Sequence, residues 1–440
     1  MSRILHRSTT TPPIAASGQG IRLRLADGTE VVDASGGAAV ACLGHGNARV
    51  ATAIAAQAGK MAYAHTGFFS SEPAEELAEI LLAGEPGGLS HAYFCSSGSE
   101  GNEAALKLAR QYFVERGEPN RTKFIGRRLS YHGNTLGALG VGGNMARRAI
   151  YDPILAGTFS HVAPCFPYRF QNAGETDAQY VDRLAEELES EFQRLGPSNV
   201  IGFFAETMVG ATTGCVAALP FYFRRVRDIC DRHGALLILD EVMCGMGRLG
   251  VMHAWELEGV FPDIQVVAKG LGGGYQPIGG ILISRRVVDA LRAGSGAFTH
   301  GHTYQAHPVA CAAALEVQRI IRDDHLLENV RAMGARLEAA LVERFGNHRC
   351  VGDIRGRGLF WALELVSDRP TKVAFDPARK INDRIKWESL ARGLAVYPMG
   401  GTIDGIQGDH VIVAPPYICG PADIDMIIDR LGAAVDAAVS

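Results

Sequence analysis

The 440-residue sequence predicts an α/β protein with a mostly parallel central sheet, followed by a smaller α+β region. Three observations point there. Short apolar runs alternate with helical stretches through the middle of the chain. The run Ala-Leu-Leu-Ile-Leu at 235–239 is apolar on both faces, as in a strand covered on both sides. Beyond residue 309 the order changes to long helical patterns, then strands, then a closing helix.

Residues 21–33 alternate polar and apolar around Asp27-Gly28, a strong hairpin signal. From about 50 to 82 the pattern is helical, with Pro73 opening a Glu-rich first turn. Apolar runs at 91–96, 123–126, 200–206, 235–242, 264–268 and 280–284 predict strands, and 100–116, 182–195 and 221–233 predict helices between them. After 309, two helical patterns run to about 345; 351–366 and 394–416 read as strands and 421–439 as the last helix.

With 43 basic and 47 acidic residues the net charge is −4, which argues against a nucleic-acid protein. At 47% hydrophobic and 20% charged the chain can bury a large core without staples and is not disordered. No apolar run approaches the roughly 20 residues of a membrane-spanning helix, and MSRILHRSTTTPPIAAS at the start lacks the apolar core of a secretory signal. Nine cysteines without a CxxC pair read as reduced thiols, so the expected location is cytoplasmic.

Ser96-Ser97-Gly98-Ser99-Glu100 follows a strand and opens a helix. Small residues and free helix amides make a seat for a phosphate, although taken alone the string reads as an ordinary N-cap. Asp240-Glu241 closes the most hydrophobic strand, at the edge where parallel sheets bind ligands; an acid there partners a buried cation or caps a helix. Lys269 ends the next apolar run. Consecutive strands thus bring an Asp and a Lys to one sheet edge. Taken alone a lysine at a strand end reads as a solvated flank; held near an apolar sheet it can lose its proton and attack a carbonyl, forming a Schiff base. Tyr131 and His132, after the second run, offer an aromatic to stack on a planar ligand. His300, His302 and His307 lack a metal-ligand spacing and a carboxylate partner, so no metal is expected. The segment Gly245-Met246-Gly247-Arg248-Leu249-Gly250 matches GxGxxG but lies past the strand with no clean helix after it, so no dinucleotide site is expected.

Together these pieces resemble the class III aminotransferases, pyridoxal-phosphate enzymes of fold type I. The resemblance is carried by SSGSEGNEAALKLAR at 96–110, YHG at 131–133, LDEVMCGMGRLG at 239–250, AKGLGGGYQPIGG at 268–280 and GHTYQAHPVACAAAL at 301–315. It implies a large cofactor-binding domain over 51–325 and a smaller α+β domain assembled from 1–50 and 326–440. By resemblance, Lys269 forms the Schiff base and shuttles the proton, and Asp240 pairs with the pyridinium nitrogen. Val242, two residues on and on the same side of the strand, packs on one ring face and Tyr131 stacks on the other. His132 and Glu206 lie beside the ring. Gly98 and Ser99 hold the phosphate, helped by the partner subunit's Thr303. The implied active unit is a homodimer with shared sites, and a tetramer stays open. The implied reaction takes an amino group from an ω-amino acid or amine to a keto acid, with pyruvate favoured, through pyridoxamine phosphate. Aminomutases, racemases and a decarboxylase share the same motifs and are the alternative.

Departures from the family pattern bear on the substrate. Met243 stands where relatives using aminobutyrate or ornithine usually carry Gln. Their Glu-Pro-x-Gln-x-Glu reads Glu206-Thr-Met-Val-Gly-Ala211 here, so the acid that gates a carboxylate-binding arginine is replaced by Ala211. The segment 405–416, where that arginine usually lies, contains none. Arg169 is the substitute the sequence offers; the competing reading is a surface loop charge. Ala38 and Ala39 imply a roomy substrate pocket, with Tyr63, Phe68 and Phe69 along it.

Overall fold

The structure, a computed structural model, describes residues 3–8 and 10–440. Its centre is a seven-stranded sheet: β1 (Leu89–Cys95), β2 (Lys123–Arg127), β3 (Phe159–Val162), β4 (Val200–Glu206), β5 (Leu236–Asp240), β6 (Ile264–Val267) and β7 (Gly279–Ser284). The spatial order is β1-β7-β6-β5-β4-β2-β3. Strands β6, β5, β4, β2 and β3 run parallel, and β7 runs against both its neighbours.

The apolar runs explain why this sheet is central. Successive side chains of a strand face opposite sides. Leu236 and Ile238 pack with Phe204, Val266 and the helix Gly98–Glu115, whereas Leu237 and Leu239 pack with Phe203, Val267 and the helices Asp177–Leu195 and Tyr222–Arg232. Two cores therefore sandwich one sheet, which is why β4 and β5 are buried at every position. Each fully buried Leu or Ile contributes about 1.5–3 kcal/mol of transfer free energy.

The predicted hairpin is present. Arg22–Leu25 pairs antiparallel with Glu30–Asp33 across a turn in which Gly28 takes φ +90°. The segment 50–82 corrects the expectation of one continuous helical pattern: helices Ala48–Lys60 and Glu72–Leu81 are separated by an irregular loop. The loop is tethered by the Tyr63 hydroxyl, which donates to the Thr303 carbonyl at 2.8 Å. Strand β3 was not foreseen, because a four-residue, half-buried edge strand carries little apolar signal.

The smaller α+β unit draws on both chain ends. The short strand Leu394–Ala395 pairs with Val32 and Asp33, and Ile21, Val32 and Leu43 share a core with Val411, Ile424 and Leu431. Its second sheet is antiparallel. The run 351–366 folds back on itself as Val351–Arg357 and Phe360–Leu365, turning at Gly358 with φ +55°. The run 394–416 contains Tyr397–Gly400 and Asp409–Val413 around an intervening loop.

Candidate active site

Parallel strands end together, so their last residues and the loops after them line a common crevice. Here that crevice is a cavity of about 390 Å³ at the carboxyl ends of β4, β5 and β6. Ser96–Ser99, Tyr131–Gly133, Glu206, Asp240, Val242 and Lys269 all line it.

Asp240, the last residue of β5, is only 4% exposed. Its Oδ2 accepts from His132 Nδ1 at 2.8 Å and Asn102 Nδ2 at 3.1 Å, and its Oδ1 accepts from the Val242 N–H at 2.9 Å. Three donors thus fix the carboxylate without neutralising it by a strong base. Strand β5 ends at Asp240, so Val242 reaches the cavity from the following turn and not from a continued strand.

Glu206 closes β4 one strand away. Its carboxylate pairs with the buried Arg127 at 3.1 Å and accepts the Tyr131 N–H at 2.9 Å. His132 bridges the two acids, with Nε2 3.9 Å from Glu206 Oε2. That nitrogen and Asn102 Oδ1 are buried without hydrogen-bond partners among the described residues.

Glu241 points the other way. It accepts from the Ala254 and Trp255 amides at 2.7 Å each, from Thr207 Oγ1 at 2.8 Å and from Gln265 Nε2 at 2.8 Å. Burial pushes its carboxyl up to about 7 against the pull of Thr207 and those amides. The two readings of an acid at this edge are therefore divided between neighbours: Glu241 caps the short helix Ala254–Glu258, and Asp240 faces the cavity.

Lys269 follows β6 and holds a left-handed backbone, φ +46°. For a side chain with a Cβ this conformation costs on the order of 1 kcal/mol, strain of the kind that collects at functional sites. Desolvation lowers its amine to about 8; the Asp240 charge opposes the shift and Arg147 adds to it. A much larger share of the neutral amine is therefore present at neutral pH than for an ordinary lysine.

The opposite side of the floor is the start of the helix Gly98–Glu115. Ser97 Oγ caps the Glu100 N–H at 3.2 Å, and the Glu100 carboxylate returns to the Ser96 N–H at 2.6 Å. The N-cap leaves Gly98 and Ser99 facing the cavity, so it does not compete with an anion at this helix start. A Cβ on Gly98 would lie 3.0 Å from both Val242 methyls, so only glycine keeps this passage open.

Six of the expected site residues lie outside the cavity lining of this chain. Ala38 does not line the cavity; Val40 does, and the residue between them, Ala39, holds a left-handed backbone at φ +63°. Tyr63 and Phe68 are 41% and 79% exposed and outside the cavity lining, as is Phe69. Thr303 is likewise exposed and outside the lining. Arg169 is neither a cavity residue nor a surface charge: it pairs with the fully buried Glu364, which also holds Arg355 at 2.6 Å. Asn102 and Arg127 were not foreseen. Asn102 sits one helical turn after Gly98 and faces the same way, a spacing visible in the sequence. Arg127 carries no such signal, since it ends an unremarkable strand. The GxGxxG segment forms consecutive turns around Arg248, whose guanidinium donates to the carbonyls of Leu359 and Pro415.

Comparison with known proteins matches residues 5–435 to the family model for class-III aminotransferases. An uncharacterized aminotransferase of Schizosaccharomyces pombe is 49% identical over 98% of this chain and 94% of its own length. The putrescine–pyruvate aminotransferase of Pseudomonas aeruginosa is 32% identical over 94% of this chain and 88% of its own. Among solved structures, an amine transaminase from an uncultivated Pseudomonas species, in its pyridoxal-phosphate-bound form, superposes with a TM-score of 0.93 at 34% identity, covering 100% of this chain and 99% of that one.

Proposed function

The chain belongs to the class-III aminotransferases and is a pyridoxal-phosphate enzyme, and on that premise we propose that it moves an amino group from an ω-amino acid or amine to pyruvate. The observation that carries the reading is the pairing of a lysine amine lowered to about 8 with a triply held carboxylate on adjacent strand ends.

The residues fit the cofactor. The cavity is large enough for a small planar ring with its phosphate, Gly98 leaves a passage that a Cβ would fill, and His132 Nε2 and Asn102 Oδ1 are polar atoms still without partners among the described residues. When bound, pyridoxal phosphate supplies a carbonyl carbon for amine exchange and an electron sink for the carbon that loses its proton.

The chain's own groups do the rest. Lys269 Nζ would hold the cofactor at its carbonyl carbon, and as a neutral amine it would take and return the substrate proton. Asp240, oriented by His132, Asn102 and the Val242 N–H, presents its charge to the ring nitrogen. Gly98 and Ser99 take the phosphate at the helix N-terminus. Val242 and Tyr131, both in the cavity lining, would pack against the ring. Glu206 and His132 complete the polar side.

The donor reading rests on the apolar wall formed by Met208, Gly210, Ala211 and Met243, which offers no charge to a second carboxylate. One relative's name pairs putrescine with pyruvate, in line with this choice. The active unit in this proposal is a homodimer in the cytoplasm, with the partner subunit's Thr303 completing the phosphate site. Tyr63, whose hydroxyl reaches the Thr303 carbonyl, and the exposed Phe68 and Phe69 of the same loop supply apolar surface for that contact. Among the described residues no helix is long and apolar enough to cross a membrane.

The test is the visible absorption of the dialysed protein against a panel of ω-amines. The expected result is a cofactor band that fades with one amine class and returns with pyruvate. A band restored only by 2-oxoglutarate after treatment with glutamate would overturn the substrate assignment.

A further inference from the structure

Pyruvate brings a carboxylate into a cavity in which, among the described residues, Lys269 is the one lining lysine or arginine. Lys269 is committed to the chemistry. A carboxylate taken out of water needs another cation or several N–H donors.

Arg147 is in the right place to be that cation. It lies on the short helix Met145–Arg148, with its guanidinium carbon 4.7 Å from the centroid of the Tyr131 ring, and Tyr131 lines the cavity. Arg147 is half-buried, yet among the described residues its side chain makes no hydrogen bond or ion pair. Its neighbour shows the contrast. Arg148 donates to the Gly142 carbonyl at 2.8 Å and the Gly140 carbonyl at 3.2 Å, and pairs with Asp152 at 3.1 Å. One arginine of the pair is used by the fold and the other is left over. The short helix is also held from the C-terminal side, where a Cβ on Gly405 would come within 3.1 Å of the Ala146 nitrogen. Arg147 thus borders the loop that lacks the arginine expected from the sequence. The charge of Arg147 extends to Lys269, so the two cations share one electrostatic field.

The other arginines near the site are engaged or exposed. Arg169 is paired with Glu364, and Arg248 with backbone carbonyls. Arg7, whose charge also reaches Tyr131, is exposed in the irregular N-terminal segment.

We propose that Arg147 binds the carboxylate of the 2-oxo acid acceptor, its plane stacked on Tyr131 and its in-plane N–H groups turned to the substrate. Stacking occupies the guanidinium faces and leaves its five N–H donors free for a forked carboxylate bond. The assignment rests on the aminotransferase reading.

Two measurements on the holoenzyme decide it. In the first, single-turnover absorption follows the amine half-reaction, with a donor lacking a carboxylate, and the pyruvate half-reaction separately. Arg147→Gln should raise the half-saturating pyruvate concentration about 100-fold, with the amine half-reaction changing far less. Arg147→Lys should recover part of the loss. In the second, phenylglyoxal labelling of Arg147, read by peptide mass, should slow when lactate, an unreactive analogue of pyruvate, is present. Unchanged pyruvate saturation in Arg147→Gln, or the loss appearing in Arg7→Gln instead, overturns the proposal. So does an equal slowing of both half-reactions with an altered resting spectrum, which would make Arg147 a support for Tyr131 only. A wild-type band that no amine discharges overturns the aminotransferase reading, and the labelling experiment then decides Arg147 independently.

Discussion

The floor of the cavity and its rim are built from different materials. The floor is made of strand ends, and its charged side chains are held by buried partners: Asp240 by His132 and Asn102, Glu206 by Arg127. The rim, formed by Val40, Met208, Gly210, Ala211 and Met243, is small or apolar and comes mostly from turns and loops. A floor anchored by the sheet cannot move without breaking two cores, whereas the rim can change side chain by side chain. In the proposed function the bond chemistry therefore belongs to the floor and the choice of substrate to the rim.

The sharpest test of this division is Lys269→Ala. It should lower turnover about 10⁴-fold and abolish the cofactor band while far-ultraviolet circular dichroism stays unchanged. Asp240→Asn keeps the shape but removes the charge, and should cost about 10²- to 10³-fold in turnover. If either change left activity intact, the floor would not hold the chemistry. Arg169→Gln tests the opposite claim, that a conspicuous arginine outside the cavity serves only the fold. It should leave turnover unaltered but reduce stability by about 1–3 kcal/mol in chemical unfolding, because Glu364 loses one of its two arginines.

The smallest effect expected is a pH limb. The Lys269 amine lies at about 8, so its neutral fraction grows as pH rises through that value. In the cofactor-free protein, Lys269 should capture pyridoxal phosphate faster from pH 7 upward and level off above about 8. The same shift acts on folding. Between about 8 and the ordinary 10.5 the unfolded chain holds a proton on this lysine that the folded chain has lost, so stability of the cofactor-free protein gains with pH across that window. In Asp240→Asn the charge that raises the amine is gone, and the capture limb should move to lower pH.

The floor was largely legible in the sequence, for a physical reason. Strand ends are fixed by apolar runs, and the residue that closes a run is read directly, as with Glu206, Asp240 and Lys269. Glycines forced by close approach, such as Gly98, are read the same way. The rim was not legible. Whether Ala38 or Val40 faces the cavity depends on the left-handed backbone on either side of Ala38, at Gly37 and Ala39. Whether Arg169 is free depends on Glu364, nearly two hundred positions away, as their sequence separation of 195 shows. Tyr63 and Phe68 sit in a loop that breaks what periodicity alone presented as one helical stretch. Local pattern carries no information about such distant partners.

The lone antiparallel strand has a consequence for synthesis. Strand β1 occupies one edge of the sheet and pairs with β7, while β7 is inserted between β1 and β6. On the ribosome, Leu89–Cys95 emerges early and must wait, unpaired, until Gly279–Ser284 has left the exit tunnel. Gly279 then closes against the Ser97 carbonyl, where a Cβ would come within 2.5 Å. The proposed phosphate seat is therefore completed late in translation, and nascent chains stalled before residue 284 should expose an open strand edge for chaperones to bind.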